Sequence, residues 1–205
     1  SRSCRRSINC TAGISATPVI EKNFGNTAGD RTRAAAVLER NLLYAALNCG
    51  MAGAPIEFGV NDGPALRGAV QFDYALSRIA QREGKDELRA LVLETKTPEG
   101  SALRVLGRVG RAGAVAWIQD PRESWSRAFD LKAHPAEITD ATITLPGLSE
   151  GKYDVGWLDT WSGRIVHRET YLAPPRHVDK PLQPVLLRAP PFHRDIAVMI
   201  VPAEN

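Results

Sequence analysis

Apolar and polar residues alternate most regularly in the segment just before residue 159. Tyr153, Val155 and Trp157 are separated by a charged residue and a glycine, which is the period-two pattern of a half-buried β-strand. The residues that follow, DTWSG at Asp159–Gly163, are mostly short and polar and end in glycine, so they favour a chain reversal. The pattern therefore predicts a β-hairpin whose second strand covers Arg164–Thr170.

The same alternation continues through the C-terminal half, where short apolar runs are separated by turn residues. Seven short strands at this spacing are typical of a β-sandwich. Because LPGLSEG at Leu145–Gly151 is another short turn, we expect the third, fourth and fifth strands to form a meander. The predicted strands are Leu103–Val109, Ala114–Gln119, Ala136–Leu145, Lys152–Leu158, Arg164–Thr170, Pro184–Arg188 and Asp195–Val201.

The N-terminal half has apolar residues at helical spacing instead. A short strand at Thr17–Glu21 precedes a helix over Arg31–Asn48, and a second strand at Ala54–Val60 precedes a helix from Pro64 to about Gly84. A third helical piece is expected over Asp86–Glu94. Two consecutive strand-then-helix units are typical of parallel β/α architecture, in which each helix crosses back over the sheet.

The change of pattern predicts two domains that meet near the polar segment Thr95–Ser101. Residues 1–97 are expected to form β/α units, and residues 98–205 an antiparallel β-sandwich. The predicted fold class is therefore α/β plus all-β. Two β/α units cannot form a closed barrel alone, because a complete eight-fold barrel needs at least about 200 residues.

Composition and charge narrow the classes of partner. The 205 residues are 43% hydrophobic and 24% charged, as in ordinary globular proteins. The net charge of +3 is spread along the chain, which argues against nucleic acid or an anionic membrane as a partner. No apolar run of about 18 residues is present to span a bilayer. SRSCRRSINC lacks the apolar middle of a signal peptide, and we expect the natural N-terminus to lie upstream of Ser1.

Cysteine and histidine residues give no metal or cofactor pattern. The three cysteines are too irregularly spaced for a disulfide framework, and they form either one Cys4–Cys10 bridge or loose thiols. The histidines lack partners at zinc-ligand or catalytic-triad spacing. We therefore expect no metal site and no cofactor. The histidines are His134, His167, His177 and His193.

Several segments resemble one group of proteins. AVAWIQDP at Ala114–Pro121, LPGLSEGKYDVGWLDTWSG at Leu145–Gly163 and DIAVMIV at Asp195–Val201 are similar to the β-sandwich, of a collagen-binding type, that follows the catalytic barrel in some bacterial glycoside hydrolases. PVIEKNFG at Pro18–Gly25 resembles the seventh strand of cellulase- and mannanase-like barrels. Asn41–Val60 resembles the last helix and eighth strand. The resemblance implies the last β/α units of a (β/α)8-type barrel followed by an accessory sandwich.

In these barrels a glutamate just before Phe-Gly is the nucleophile, and Asn23 occupies that position here. Asparagine has no carboxylate with which to form a glycosyl ester. Glu21 points to the same side of a regular strand and would take the role after a one-residue shift. No residue of this chain corresponds to the family's acid/base glutamate.

Glu21 and Glu57 lie at equivalent places on adjacent predicted strands. They either face one cleft as a catalytic pair, about 5–5.5 Å apart in a retaining enzyme and about 6.5–9.5 Å in an inverting one, or they are a solvated residue and a strand-end cap. The resemblance also implies a polysaccharide or glycoside substrate, a secreted or periplasmic location, and the missing N-terminal part of the barrel as a partner.

The tryptophans divide into two pairs. Trp117 and Trp157 lie in mid-strand and are expected in the core. Trp125 and Trp161 lie in polar loops, where each either stacks on a sugar or packs on the protein. For Trp161 we expect a structural corner in which Asp159, together with the next residue Thr160, satisfies backbone donors and a left-handed Gly163 closes the turn.

Two functions follow from the sequence. One is the C-terminal portion of a glycoside-hydrolase-like protein that acts on polysaccharide and is inactive as this isolated chain. The other is a non-catalytic module that binds carbohydrate or matrix protein. Asn23 and the absent early strands favour the second function for this chain, whereas the resemblance favours the first for its parent protein.

Overall fold

The computed structural model describes Tyr44 and residues 63–83, 87–123, 135–175 and 181–204. These ranges contain helix α1 and eight β-strands, and Tyr44 is itself helical. Helix α1 covers Gly63–Glu83. The strands are β1 (Arg89–Lys96), β2 (Ala102–Val109), β3 (Ala114–Gln119), β4 (Thr142–Leu145), β5 (Gly151–Asp159), β6 (Arg164–Ala173), β7 (Val185–Arg188) and β8 (Asp195–Pro202).

Six strands form one antiparallel sheet in the order β1-β2-β3-β8-β5-β6, and β4 pairs with β7 in a second, two-stranded sheet. Strands β3 and β8 lie at the centre, and every residue of β3 is buried. The described part of the chain is therefore mostly antiparallel β-structure, which is compatible with the predicted sandwich, and each of the seven strands predicted after residue 101 overlaps an observed one. The strands predicted at Thr17–Glu21 and Ala54–Val60 lie outside the described residues, as does the helix predicted over Arg31–Asn48 apart from Tyr44.

The large sheet is covered on both faces. Successive side chains of a strand point to opposite faces. On one face, Ile118 and Val198 join the core that includes Ile143 and Leu187 of the small sheet. On the other face, residues of the same two central strands pack with α1 in a second core. The small sheet, the large sheet and the helix thus form three layers.

Helix α1 packs through one stripe of side chains. Its buried residues, Ala69, Phe72, Ala75 and Ile79, recur at the spacing of one helical face. The predicted helix from Pro64 to Gly84 is confirmed. At its C-terminal end, the Glu83 carboxylate accepts hydrogen bonds from the backbone N–H groups of Arg111 and Ala112, which joins the helix to the turn between β2 and β3. No helix within the described ranges has the length and apolar character to cross a bilayer.

The helix predicted over Asp86–Glu94 is wrong, because the chain forms β1 there. The apolar run is short, and such runs suit a strand as well as a helix. Strand β1 pairs along its whole length with β2 and buries Leu91, so tertiary pairing decides the conformation. The segment at Thr97–Ser101 is the hairpin turn. The N–H of Thr97 donates to the carbonyl oxygen of Ser101, and the N–H of Gly100 donates to the carbonyl oxygen of Thr97. The N–H of Ser101 donates to the Thr97 hydroxyl. The division at residues 97 and 98 stays a prediction, and β1 pairs with β2 across it.

The β5–β6 hairpin of the predicted meander is confirmed. Its other pairing is wrong, because β4 pairs with β7 and not with β5. The segment after β4 passes closely over the segment before β7. A Cβ atom at Gly147 would lie 2.4 Å from the carbonyl oxygen of Gln183. Glycine at this position therefore permits the close approach of the two segments. The strand predicted over Ala136–Leu145 begins only at Thr142, preceded by an isolated bridge from Ile138 to Phe192.

Packing of α1 on the sheet can be tested with two aromatic residues of the helix. Phe72 is 0% exposed and Tyr74 is 64% exposed. We expect Phe72→Ala to lower the free energy of unfolding by about 3–5 kcal/mol, because it leaves a cavity between helix and sheet. The matched control Tyr74→Ala should change it by less than about 0.5 kcal/mol. Equal effects in urea unfolding would contradict the observed helix face.

The stability of the protein at alkaline pH tests the burial of Tyr153. Tyr153 is 4% exposed and donates its hydroxyl hydrogen to the carbonyl oxygen of Ser149 at 2.8 Å. Burial, followed by the negative charge of Glu83, raises the pKa of Tyr153 above its ordinary value. The folded state therefore favours the neutral phenol. Its stabilising contribution is complete below about pH 10, the pKa of an unfolded tyrosine, and is lost as the pH rises through the folded pKa.

We therefore expect the free energy of unfolding to fall above about pH 10. The Tyr153→Phe variant should lose part of this decline, since it has no phenol to ionise. Tyr74→Phe, at an exposed position, is the control and should keep the wild-type slope. Parallel pH profiles for wild type and Tyr153→Phe would contradict the assignment.

Candidate functional site

A buried carboxylate organises one end of the large sheet. Asp195, the first residue of β8, is 5% exposed. Its Oδ2 atom accepts hydrogen bonds from Trp117 Nε1 at 2.7 Å and from Thr160 Oγ1 at 2.9 Å, and its Oδ1 atom accepts one from Trp161 Nε1 at 2.7 Å. A buried charge is tolerated when hydrogen bonds replace the lost water. The three donors hold β3, β8 and the β5–β6 turn together.

The β5–β6 turn presents the Trp161 side chain. The Asp159 carboxylate accepts hydrogen bonds from the backbone N–H of Trp161 at 2.9 Å and from the Ser162 hydroxyl at 2.6 Å. Gly163 closes the turn with φ 65°, and its N–H donates to the carbonyl oxygen of Asp159. The predicted corner is thus confirmed for these residues. Thr160 differs, because its hydroxyl donates to the buried carboxylate described above and not to the backbone.

Arg194 packs against the Trp161 ring at this corner. Its guanidinium carbon lies 4.6 Å from the centre of the Trp161 ring, in the range of a cation–π contact. Its Nε atom lies 3.4 Å from a carboxylate oxygen of the buried Glu123. The backbone of Arg194 has φ 39°, a left-handed conformation that is uncommon outside glycine. The Arg194 guanidinium over the ring and the Asp195 carboxylate at the indole nitrogen therefore hold the Trp161 side chain.

A second buried carboxylate lies where β3 ends. Asp120 accepts two hydrogen bonds from the Arg122 guanidinium, at 2.9 Å from Nε and 2.7 Å from Nη2. The hydrogen bond and the negative charge of Asp120 raise the pKa of Arg122 above its ordinary value. The backbone N–H of Asp120 donates to the carbonyl oxygen of Arg194 at 2.8 Å, so the two loops at this end of the sheet are linked.

A cleft of about 600 Å³ lies beside the Trp161 ring. Its walls include the apolar residues Pro190, Pro191 and Phe192 and the polar residue His193. Apolar walls with a few fixed polar groups are typical of sites that bind small organic ligands. We call this cleft the Trp161 cleft.

Both carboxylates at the Trp161 cleft are engaged in hydrogen bonds within the protein. Asp159 and Asp195 both line it, and both carboxylates already accept hydrogen bonds from the protein itself. A general acid or base must lie within hydrogen-bond reach of the substrate atom with which it exchanges a proton. Among the described residues, no group of three or more His, Cys, Asp and Glu side chains is arranged to hold a metal ion.

The structure describes some of the predicted site residues and not others. Trp161 lines the cleft. Glu21, Asn23, Glu57 and Trp125 lie outside the described residues, so their roles stay predictions. The expected burial of Trp117 and Trp157 is confirmed, and the indole N–H of Trp157 donates to Glu169 at 3.1 Å.

Sequence reasoning missed Asp195 and Arg194 as parts of the site. The available signal was an aspartate that opens the apolar strand IAVMIV, directly after a second charged residue. A charge at the start of a buried strand needs a partner. The residues that meet this need are distant in sequence, with Trp117 78 residues away.

We expect Asp195→Asn to destabilise the fold by about 1–3 kcal/mol. The substitution replaces one acceptor oxygen with an amide donor, so at least one of the three buried donors loses its partner. The matched control is Asp154→Asn on the exposed side of β5, which should change the free energy of unfolding by less than about 0.5 kcal/mol. Wild-type stability for Asp195→Asn would show that the three hydrogen bonds contribute nothing.

Comparison with known proteins adds no relative. No protein-family model matches this chain, and a search of curated proteins also gives no match.

Proposed function

We propose that this chain is a non-catalytic, carbohydrate-binding portion of a glycoside-hydrolase-like protein that acts on polysaccharide. In this proposal the N-terminal residues are the last β/α units of the barrel and the antiparallel domain is its accessory sandwich. The observation that carries the proposal is the Trp161 ring, held in place at the wall of a cleft of about 600 Å³.

A fixed indole ring suits the recognition of sugars. Pyranose rings present flat C–H faces that pack on aromatic faces, and this packing is one way in which aromatic side chains bury large areas. The Asp195 hydrogen bond and the Arg194 contact hold the Trp161 ring before any ligand arrives. A site held in its binding conformation loses little side-chain entropy on binding. In this proposal the sugar packs on the part of the Trp161 ring that lines the cleft.

The non-catalytic role has separate support. In the cellulase- and mannanase-like pattern the nucleophile position is occupied by Asn23, which has no carboxylate. At the Trp161 cleft, Asp159 and Asp195 serve the fold as acceptors. Hydrolysis of a glycosidic bond needs one carboxyl group as acid and a second as nucleophile or base. These two carboxylates fit a binding site better than a hydrolytic one.

Two substitutions at Trp161 test the proposal. Both Trp161→Phe and Trp161→Leu remove the indole N–H that donates to Asp195, so both are expected to lose the same hydrogen bond. The phenylalanine variant keeps an aromatic face, whereas the leucine variant does not. We expect Trp161→Phe to retain most of the binding to a soluble β-glucan or mannan. Trp161→Leu should bind about 5- to 150-fold more weakly, by analogy with base stacking on aromatic side chains.

Binding is measured by affinity electrophoresis and calorimetry at a temperature where all proteins are folded. The exposed residue Leu186, on β7, provides the control variant Leu186→Ala, which should bind as wild type does. Equal binding by the leucine and phenylalanine variants would show that the aromatic face is not a sugar platform.

A further inference from the structure

A second cleft adjoins the Trp161 cleft. It has a volume of about 350 Å³ and is lined by Asp140, His167 and Arg188, together with Pro190 and Pro191. We call it the Arg188 pocket. The same two prolines line both clefts, so the clefts meet along this dipeptide. Val166 of β6 also lines the first cleft, and His167 of the same strand lines the second.

The Arg188 pocket contains a donor and an acceptor side by side. The Arg188 guanidinium donates to a carboxylate oxygen of Asp140. The side chain of Arg188 is 71% exposed and that of Asp140 is 46% exposed. A guanidinium has five N–H donors and a carboxylate has about four acceptor positions. The ion pair therefore leaves further donors and acceptors that a ligand can reach.

Backbone conformation sets this pocket and the Trp161 cleft apart from their surroundings. Among the described residues, two residues other than glycine have positive φ, Asp140 at 56° and Arg194 at 39°. Asp140 lines the Arg188 pocket, and Arg194 lines the Trp161 cleft. Such conformations cost free energy and occur most often at functional sites. Each of the adjoining clefts thus has one residue of this kind.

We infer that the two clefts form one groove for an internal segment of a neutral polysaccharide. This inference rests on the proposed function and extends it. One sugar stacks on Trp161, and a neighbouring sugar beyond Pro190 and Pro191 exchanges hydrogen bonds with Arg188 and Asp140. A sugar hydroxyl both donates and accepts, so it matches the paired guanidinium and carboxylate. Because Asp140 already balances the charge of Arg188, the carboxylate of an acidic sugar gains no net charge attraction at this pair.

The groove predicts an effect of chain length that a single cleft does not. The 205-residue protein is titrated by calorimetry with β-1,4-linked gluco- and manno-oligosaccharides of two and six sugars. We expect the longer oligosaccharide to bind more tightly. Arg188→Gln should weaken its binding about tenfold, as the loss of a hydrogen bond to a charged group does, and change disaccharide binding by less than about twofold. Trp161→Leu should weaken the binding of both oligosaccharides.

Matched variants control for folding and for charge. Asp140→Asn removes the negative charge of an exposed side chain. It should weaken binding of the six-sugar oligosaccharide while changing disaccharide binding little, as Arg188→Gln does. Arg168→Gln removes a positive charge one residue after His167, but Arg168 lines a different groove with Gln71 and Tyr74 of α1. This variant should bind both oligosaccharides as wild type does. Thermal unfolding verifies that each variant is folded.

The outcomes separate the groove from the proposed function. If Trp161→Leu loses binding but the two oligosaccharides bind equally, or if Arg188→Gln weakens both equally, the Trp161 cleft binds sugar and the extended groove is wrong. Tighter binding of polygalacturonate than of neutral chains overturns the neutral assignment. If wild-type protein binds no glycan at all, the proposed function itself is wrong and the groove with it.

Discussion

The buried carboxylate of Asp195 is the interaction on which the site end of the molecule depends. It accepts hydrogen bonds from two indoles and one hydroxyl, contributed by β3 and by the turn between β5 and β6. Removing an ionised group from water is costly, and the three donors offset this cost only when all are in place. The carboxylate therefore fixes where the β5–β6 turn lies relative to the centre of the sheet.

This constraint connects the core with the cleft. The Trp117 ring stacks on Tyr44 with ring centres 5.8 Å apart, and Tyr44 in turn meets the edge of Phe72 at 5.5 Å. The opposite end of the same indole donates to Asp195. The Trp117 side chain thus contributes both to the packing of α1 on the sheet and to the position of the Trp161 ring. A disturbance of the helix layer is expected to reach the Trp161 cleft through Trp117.

The proposed groove combines rigid parts with a polar rim. Trp161 is held by the turn and by Arg194, and the two consecutive prolines that line both clefts have fixed backbone φ angles. Such a surface needs little ordering when a ligand binds. The more exposed pair of Arg188 and Asp140 supplies hydrogen bonds, which give a direction and a preference to an otherwise apolar contact.

Local patterns in the sequence were sufficient for much of this structure. The alternation of Tyr153, Val155 and Trp157 predicted β5, and the short polar residues after it predicted the turn, because both depend on neighbouring residues alone. The spacing of apolar residues in α1 predicted the helix for the same reason. Only the tertiary structure decided that residues 89–96 pair as a strand and that β4 crosses to β7. Likewise, Asp195 meets Trp117 and Arg194 meets Trp161 only after folding, because contacts between residues distant in the chain arise from packing and leave no periodic signal in the sequence.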